Sequence, residues 1–220
     1  MKLNDSTILR FFHLNIDAKD VARFQEVGKK NMTTSIKKEP GTLFMALTND
    51  DSPKTSNYVL ECYRDESSYE IHASSPQFKE FSNVAKNTVI GREVFELTPQ
   101  IILTKDEPLR VAGQNDYYVR ILKLTLVDED LKKFGAALRE EVSQSMEKVP
   151  GLKGVLAGNF FDVENEWRIF EIFDSKVAAK QYSQSSQYAN FEKQVHDMIY
   201  SREAIDLNPD IIVDQGKLEY

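Results

Sequence analysis

Arg92-Glu93-Val94-Phe95-Glu96-Leu97-Thr98-Pro99-Gln100-Ile101-Ile102 returns 110 residues later as Arg202-Glu203-Ala204-Ile205-Asp206-Leu207-Asn208-Pro209-Asp210-Ile211-Ile212. Six of the eleven positions are identical, and most of the other exchanges keep their apolar or polar character. The same offset, without a gap, places Arg10 on Arg120, Phe24 on Phe134, Pro40-Gly41 on Pro150-Gly151, Glu61 on Glu171 and Phe81 on Phe191. A constant offset held over that distance is the mark of a tandem duplication. The chain of 220 residues therefore divides into domains 1–104 and 116–220. Between them, 105–115 carries Pro108, Gly113 and several charges with little apolar periodicity, the composition of a linker.

Each copy reads strand, helix, strand, strand, helix, strand. The first strand covers Thr7–Leu14 and, in the second copy, Tyr117–Leu124. Val21, Phe24, Met32 and Ile36 then recur at helical spacing, as do Leu131, Phe134, Leu138, Val142 and Met146. Pro-Gly ends that helix and turns the chain into a second strand, Leu43–Thr48 or Leu152–Ala157. A third strand follows at Tyr58–Tyr63 or Arg168–Phe173. Ser75-Pro76 is the signature of a capped helix start with proline in its first turn. The Leu-x-Pro-x-Ile-Ile segment is the last strand, and its proline requires an edge or a bulge. This order is a ferredoxin-like α+β unit, a four-stranded antiparallel sheet with both helices on one face. The other face is apolar too: Leu9 and Phe11 oppose Ile8, Phe12 and Leu14, and Leu60 and Cys62 oppose Val59 and Tyr63. Such a face needs cover, and the duplicate supplies it, so the two sheets are expected to pack face to face within one chain.

Composition narrows the function classes. The chain is 41% hydrophobic and 10% aromatic, enough for a packed core, and its 29% of charged residues are not gathered into blocks. The net charge of −7, from 28 basic and 35 acidic residues, repels phosphate backbones and speaks against a nucleic-acid partner. Residues 1–110 carry 15 basic and 16 acidic groups (−1), residues 111–220 carry 13 and 19 (−6), so a difference in ligand preference between the copies can begin there. A single cysteine, Cys62, forms no intrachain disulfide and fits a reducing compartment. Met1-Lys2-Leu3-Asn4-Asp5-Ser6 lacks the apolar core expected of a signal peptide, and no apolar run approaches the roughly 18 residues of a membrane span. A cytoplasmic protein without a membrane partner is expected.

The stretch Tyr58-Val59-Leu60-Glu61-Cys62-Tyr63-Arg64-Asp65-Glu66, then His72, then Ser74-Ser75-Pro76-Gln77-Phe78-Lys79-Glu80-Phe81, resembles the antibiotic-biosynthesis-monooxygenase domain of the dimeric α/β-barrel superfamily. Glu39-Pro40-Gly41-Thr42 fits that family's helix-to-strand turn. The resemblance covers residues 6–104 and, more faintly, 116–214. It implies a pseudo-dimer, an intramolecular version of the barrel that two separate chains usually build, with a further homodimer left open. The family includes cofactor-independent quinone-forming monooxygenases, heme-degrading oxygenases and isomerase-like members. The heme-degrading branch carries a histidine iron ligand where this chain has Ser82 and Glu192, and a strand-one asparagine where it has Ile8 and Tyr118. What the resemblance then implies is oxidation of a small aromatic or quinol-type molecule by O2, with no cofactor. The alternative is a non-catalytic small-molecule-binding or stress-related module of the same fold.

Several residues are candidates for such a site. His72 is the best catalytic candidate, because histidine as a residue type suits a general base that deprotonates a phenol; a structural hydrogen bond is its other reading. The second copy has Tyr182 there, able to touch a ligand but a poor base. Arg10 and Glu61, with Arg120 and Glu171, lie on strands expected to be neighbours, where they orient a polar group of the substrate or form a structural ion pair. Phe12, Phe44, Tyr63 and Tyr69, with Phe11, line an aromatic slot or belong to the core. Gly28 stands inside a helix where the second copy has Leu138, which either opens space or permits close packing. His13 and His196 lack a partner at metal-ligand spacing, so no metal site is read.

Overall fold

The computed structural model describes residues 1–50 and 53–220. The first unit runs β1 (Ile8–Ile16), α1 (Val21–Lys38), β2 (Thr42–Asn49), β3 (Ser56–Tyr63), α2 (Glu66–Ser74), α3 (Pro76–Thr88) and β4 (Val89–Thr104). A short strand β5 (Arg110–Ala112) follows. The second unit repeats the order as β6 (Tyr118–Leu126), α4 (Leu131–Lys148), β7 (Leu152–Phe160), β8 (Glu166–Phe173), α5 (Lys176–Ser183), α6 (Ser186–Val195) and β9 (Ile199–Asp214). The second helical region is split in both units by a serine cap. The Ser75 hydroxyl accepts from the Phe78 N–H ahead of Pro76, and the Ser185 hydroxyl accepts from the Tyr188 N–H.

All strand pairings are antiparallel, in the order β2-β3-β1-β4-β7-β8-β6-β9, and β9 closes back on β2. The two sheets are thus joined along both seams into one eight-stranded barrel. The joints are the two 16-residue strands. β4 pairs with β1 as far as Leu97 and then with β7; β9 pairs with β6 as far as Leu207 and then with β2. Just past each change of partner the ladder skips a residue, Gln100 after Pro99 and Asp210 after Pro209. Each proline, which has no N–H to give, therefore sits at a bulge. Gly158 opposite Pro99 is required by the close approach: a Cβ there would stand 2.7 Å from the Thr98 carbonyl oxygen.

The inward faces make a core shared by both units, with Leu9, Phe11, Phe44, Leu60 and Cys62 meeting Val119, Ile121, Leu156, Phe170 and Ile172. The outward faces pack under the helices, and each helix layer also covers the far half of the other unit's long strand, Ile211 and Val213 of β9 in the first unit and Ile101 of β4 in the second. The linker contributes more than its composition suggests. Leu109 and Val111 are buried in the shared core, and β5 lies along the second half of β9. Three residues are too few for a periodicity to reveal. Leu218 joins the same cluster, and Tyr220 N–H bonds to the Ile102 carbonyl beside β4. Among the described residues no helix is long and apolar enough to cross a membrane.

Candidate functional site

A cavity of about 490 Å³ lies between the helix-facing side of the first sheet and α3. Strand alternation builds its floor: Arg10, Phe12 and Leu14 of β1, Val59 and Glu61 of β3, Val94 and Glu96 of β4. Helical spacing builds its roof, with Phe78, Phe81, Ser82, Ala85 and Lys86. Tyr69 joins the lining from α2, and Val89 and Arg92 join it from β4; its exposed members, Lys86, Arg92, Val94 and Glu96, mark the mouth.

Arg10 stands directly opposite Glu61 on one neighbouring strand and Glu96 on the other. Its guanidinium pairs with Glu96 at 3.0 Å and lies 4.0 Å over the Tyr69 ring. Glu61 is left without an arginine. It is 8% exposed, accepts a 2.9 Å hydrogen bond from the Tyr63 hydroxyl, and faces the cavity. Burial pushes its carboxyl above the ordinary range, and His72, the Tyr63 hydroxyl and the charges of Arg10 and Arg92 pull against that without cancelling it.

His72 is fully buried and is not among the residues that line the cavity. It sits one layer back, packed on Tyr63 and Phe78 with ring centroids 5.3 and 4.9 Å away. Its Nδ1 is 2.9 Å from a Glu39 carboxylate oxygen. Burial raises the Glu39 carboxyl, but hydrogen bonds from Thr42 and His72 outweigh it and hold the group below the ordinary range. An ionised carboxylate only accepts, so Nδ1 carries the hydrogen. Nε2 has no hydrogen-bond partner among the described residues.

Equivalent positions in the second unit are filled. Arg120 turns onto Glu171, Nε to Oε2 at 2.6 Å, and also reaches Ser183. Tyr188 and Val195, in place of Phe78 and Ala85, are buried in the helix-side core, and Glu192, in place of Ser82, pairs with Arg202. Tyr182 donates to Glu141 at 3.2 Å. Burial, reinforced by the nearby carboxylates of Glu171 and Glu141, raises its hydroxyl far above the ordinary range, the wrong direction for a base.

Of the residues singled out in the sequence, the structure brings Arg10, Phe12, Glu61 and Tyr69 together around the cavity. Phe44 and Phe11 instead face the barrel interior, Tyr63 lies in the helix-side core, and Tyr182 belongs to the second unit's core. The expected Arg10–Glu61 pair does not form, because Glu96 lies across the other strand and competes. Gly28 opens no space: a Cβ there would meet Leu47 Cδ2 at 3.2 Å, so the glycine serves close packing of α1 on β2. Glu96, Arg92, Lys86 and the α3 roof were missed as site residues. Phe78, Phe81 and Ala85 recur at helical spacing, which defines an apolar face on α3 but not that the face stays partly uncovered.

The profile of the family described as antibiotic biosynthesis monooxygenase matches the chain twice, over residues 7–84 and 117–194. The chain belongs to this family. The matches take in β1 to β3, α1, α2 and most of α3 in the first unit and their counterparts in the second, but stop short of β4 and β9. Among solved structures it is similar to a protein of Lactobacillus acidophilus NCFM provisionally named a monooxygenase, with 26% identity over 98% of this chain and 99% of that one and a TM-score of 0.91. A similarly named protein of Fusobacterium nucleatum (19% identity, 99% of both chains, TM-score 0.89) shares the whole fold. An anthrone oxidase-like protein shares it more distantly, with 14% identity over 97% of this chain and 95% of that one and a TM-score of 0.58. No curated protein matches the chain.

Proposed function

We propose that the first unit is a cofactor-independent oxygenase site for a small planar aromatic of the phenol or quinol type, with O2 as co-substrate. The observation that carries the reading is Glu61, a buried carboxylate without an arginine partner that faces an aromatic-walled cavity in a chain of this family. Oxidation of a phenol by O2 without a cofactor starts with loss of the phenolic proton, because the phenolate gives up an electron far more readily. A carboxylate whose pKa is raised by burial is a stronger base than one in water. Behind it stands His72, with Nδ1 held by Glu39 and Nε2 free, whose electrostatic influence favours the ionised form of Glu61. In the overall change a ring C–H becomes C=O. One atom of O2 enters the product, and the other leaves as water with the ring and phenolic hydrogens.

The test is O2 uptake with a panel of hydroxynaphthalenes and hydroxyanthracenes. Glu61→Gln should lower turnover on the order of 100-fold, as expected for loss of a general base. His72→Ala should lower it as well, and Tyr182→Phe should change it little. The second reading, a non-catalytic binding module, is favoured by His72 lying behind the cavity wall. Panel members that bind without any O2 uptake would establish that reading instead.

A further inference from the structure

Arg92 and Arg202 are equivalent residues, yet only one of them has a carboxylate. Arg202 is ion-paired with Glu192 of α6. In the first unit Ser82 stands where Glu192 would be, and among the described residues neither Arg92 nor Lys86 has an ion-pair partner. Ser82, Lys86 and Arg92 all line the cavity. The place that the Glu192 carboxylate occupies in the second unit is therefore open in the first, and it belongs to the cavity's mouth.

The balance of charge agrees. Arg10, Lys86 and Arg92 face the cavity against Glu61 and Glu96, an excess of one positive charge in a chain whose net charge is −7. Glu96 is taken up by Arg10 at 3.0 Å, and Glu61 lies on the floor with the Tyr63 hydroxyl donated to it. The mouth is left cationic.

We infer that the ligand of this cavity is an anionic aromatic, a planar ring system bearing a carboxylate that takes the place of the Glu192 carboxylate against Arg92, with Lys86 beside it. Phe12, Phe78 and Phe81 contact the rings, and the guanidinium offers the paired donors a carboxylate fits. The inference rests on the cavity being the functional pocket and does not depend on whether oxygen is consumed.

The test is calorimetric titration of the intact protein with anthracene-2-carboxylate and with anthracene-2-carboxamide, of the same shape but neutral. The acid should bind roughly tenfold tighter or better, as a charge-assisted contact to arginine gives. That margin should shrink as salt is added, because the mouth is exposed. Arg92→Gln should erase the preference while leaving the amide's affinity within about twofold. Ser82→Glu, which rebuilds the second unit's ion pair, should weaken the acid at least tenfold more than the similarly sized Ser82→Gln does. Equal affinity for acid and amide, or a preference that survives Arg92→Gln, would overturn the inference and leave the pocket reading standing. Failure of both probes to bind at millimolar concentration would remove the pocket reading, and this inference with it.

Discussion

Glu61 and Glu171 hold the same register position against equivalent arginines, Arg10 and Arg120, and their neighbours separate their roles. Glu171 is 4% exposed and tied to Arg120. Removing it strands a guanidinium whose side chain is 14% exposed, so Glu171→Ala should cost about 3 kcal/mol in urea unfolding. Glu61→Gln should cost nothing or stabilise, since burial already disfavours its charge. The two carboxyls of the first unit's inner layer also set opposite pH dependences. Glu39 has a lowered folded pKa, so its contribution is complete above the ordinary carboxylate value of about 4.3 and is lost as pH falls through the lower folded value. Glu61 has a raised folded pKa, so its contribution is greatest below about 4.3 and declines as pH rises through the higher folded value. Stability measured from pH 3 to 7 should lose part of its acid limb in Glu39→Gln, whereas Glu61→Gln should gain on wild type as pH rises. The sequence shows Arg10, Glu61 and His72 as candidates by residue type and position. It does not show that Arg10 prefers Glu96, because two strands flank β1 and the choice depends on side-chain reach.

At the scale of elements, α3 and α6 are equivalent helices that cover their sheets differently. Both start at a serine cap, and both are anchored at their first turn by a glutamine, Gln77 to Glu39 and Gln187 to Glu141. The anchoring carboxylates are not equivalent in sequence: Glu39 aligns with Val149, and Glu141 with Asn31. A buried acid has changed helix position while keeping its partners at 72/182 and 77/187, which alignment of the copies conceals. The caps, the Pro-Gly turns and the bulge at Leu-x-Pro-x-Ile-Ile were legible, because each rests on local backbone chemistry. The openness under α3 was not, because it comes from Ala85 against Val195 and Ser82 against Glu192, differences of volume across a contact. Ser185→Ala should remove one cap, costing about 1 kcal/mol and lowering the melting temperature by about 2–4 °C. Thermal unfolding followed by circular dichroism checks this.

For the molecule as a whole, the duplication accounts for both the barrel and its asymmetry. Each sheet has an apolar face that it cannot cover alone, and the strands that run past Pro99 and Pro209 stitch the two faces into one core. That core was readable from strand faces apolar on both sides; the plugging of it by Leu109, Val111 and Leu218 was not. Once the barrel is shared, the space between sheet and second helix can fill in one unit and stay open in the other without loss of the fold. The central claim is that a working pocket exists in the first unit alone, and stoichiometry tests it most directly. Titration of the protein with a hydroxyanthracene should give one site per chain, abolished when Ala85→Trp fills the cavity roof and retained in Tyr182→Phe. Two sites per chain, or a single site indifferent to Ala85→Trp, would contradict it.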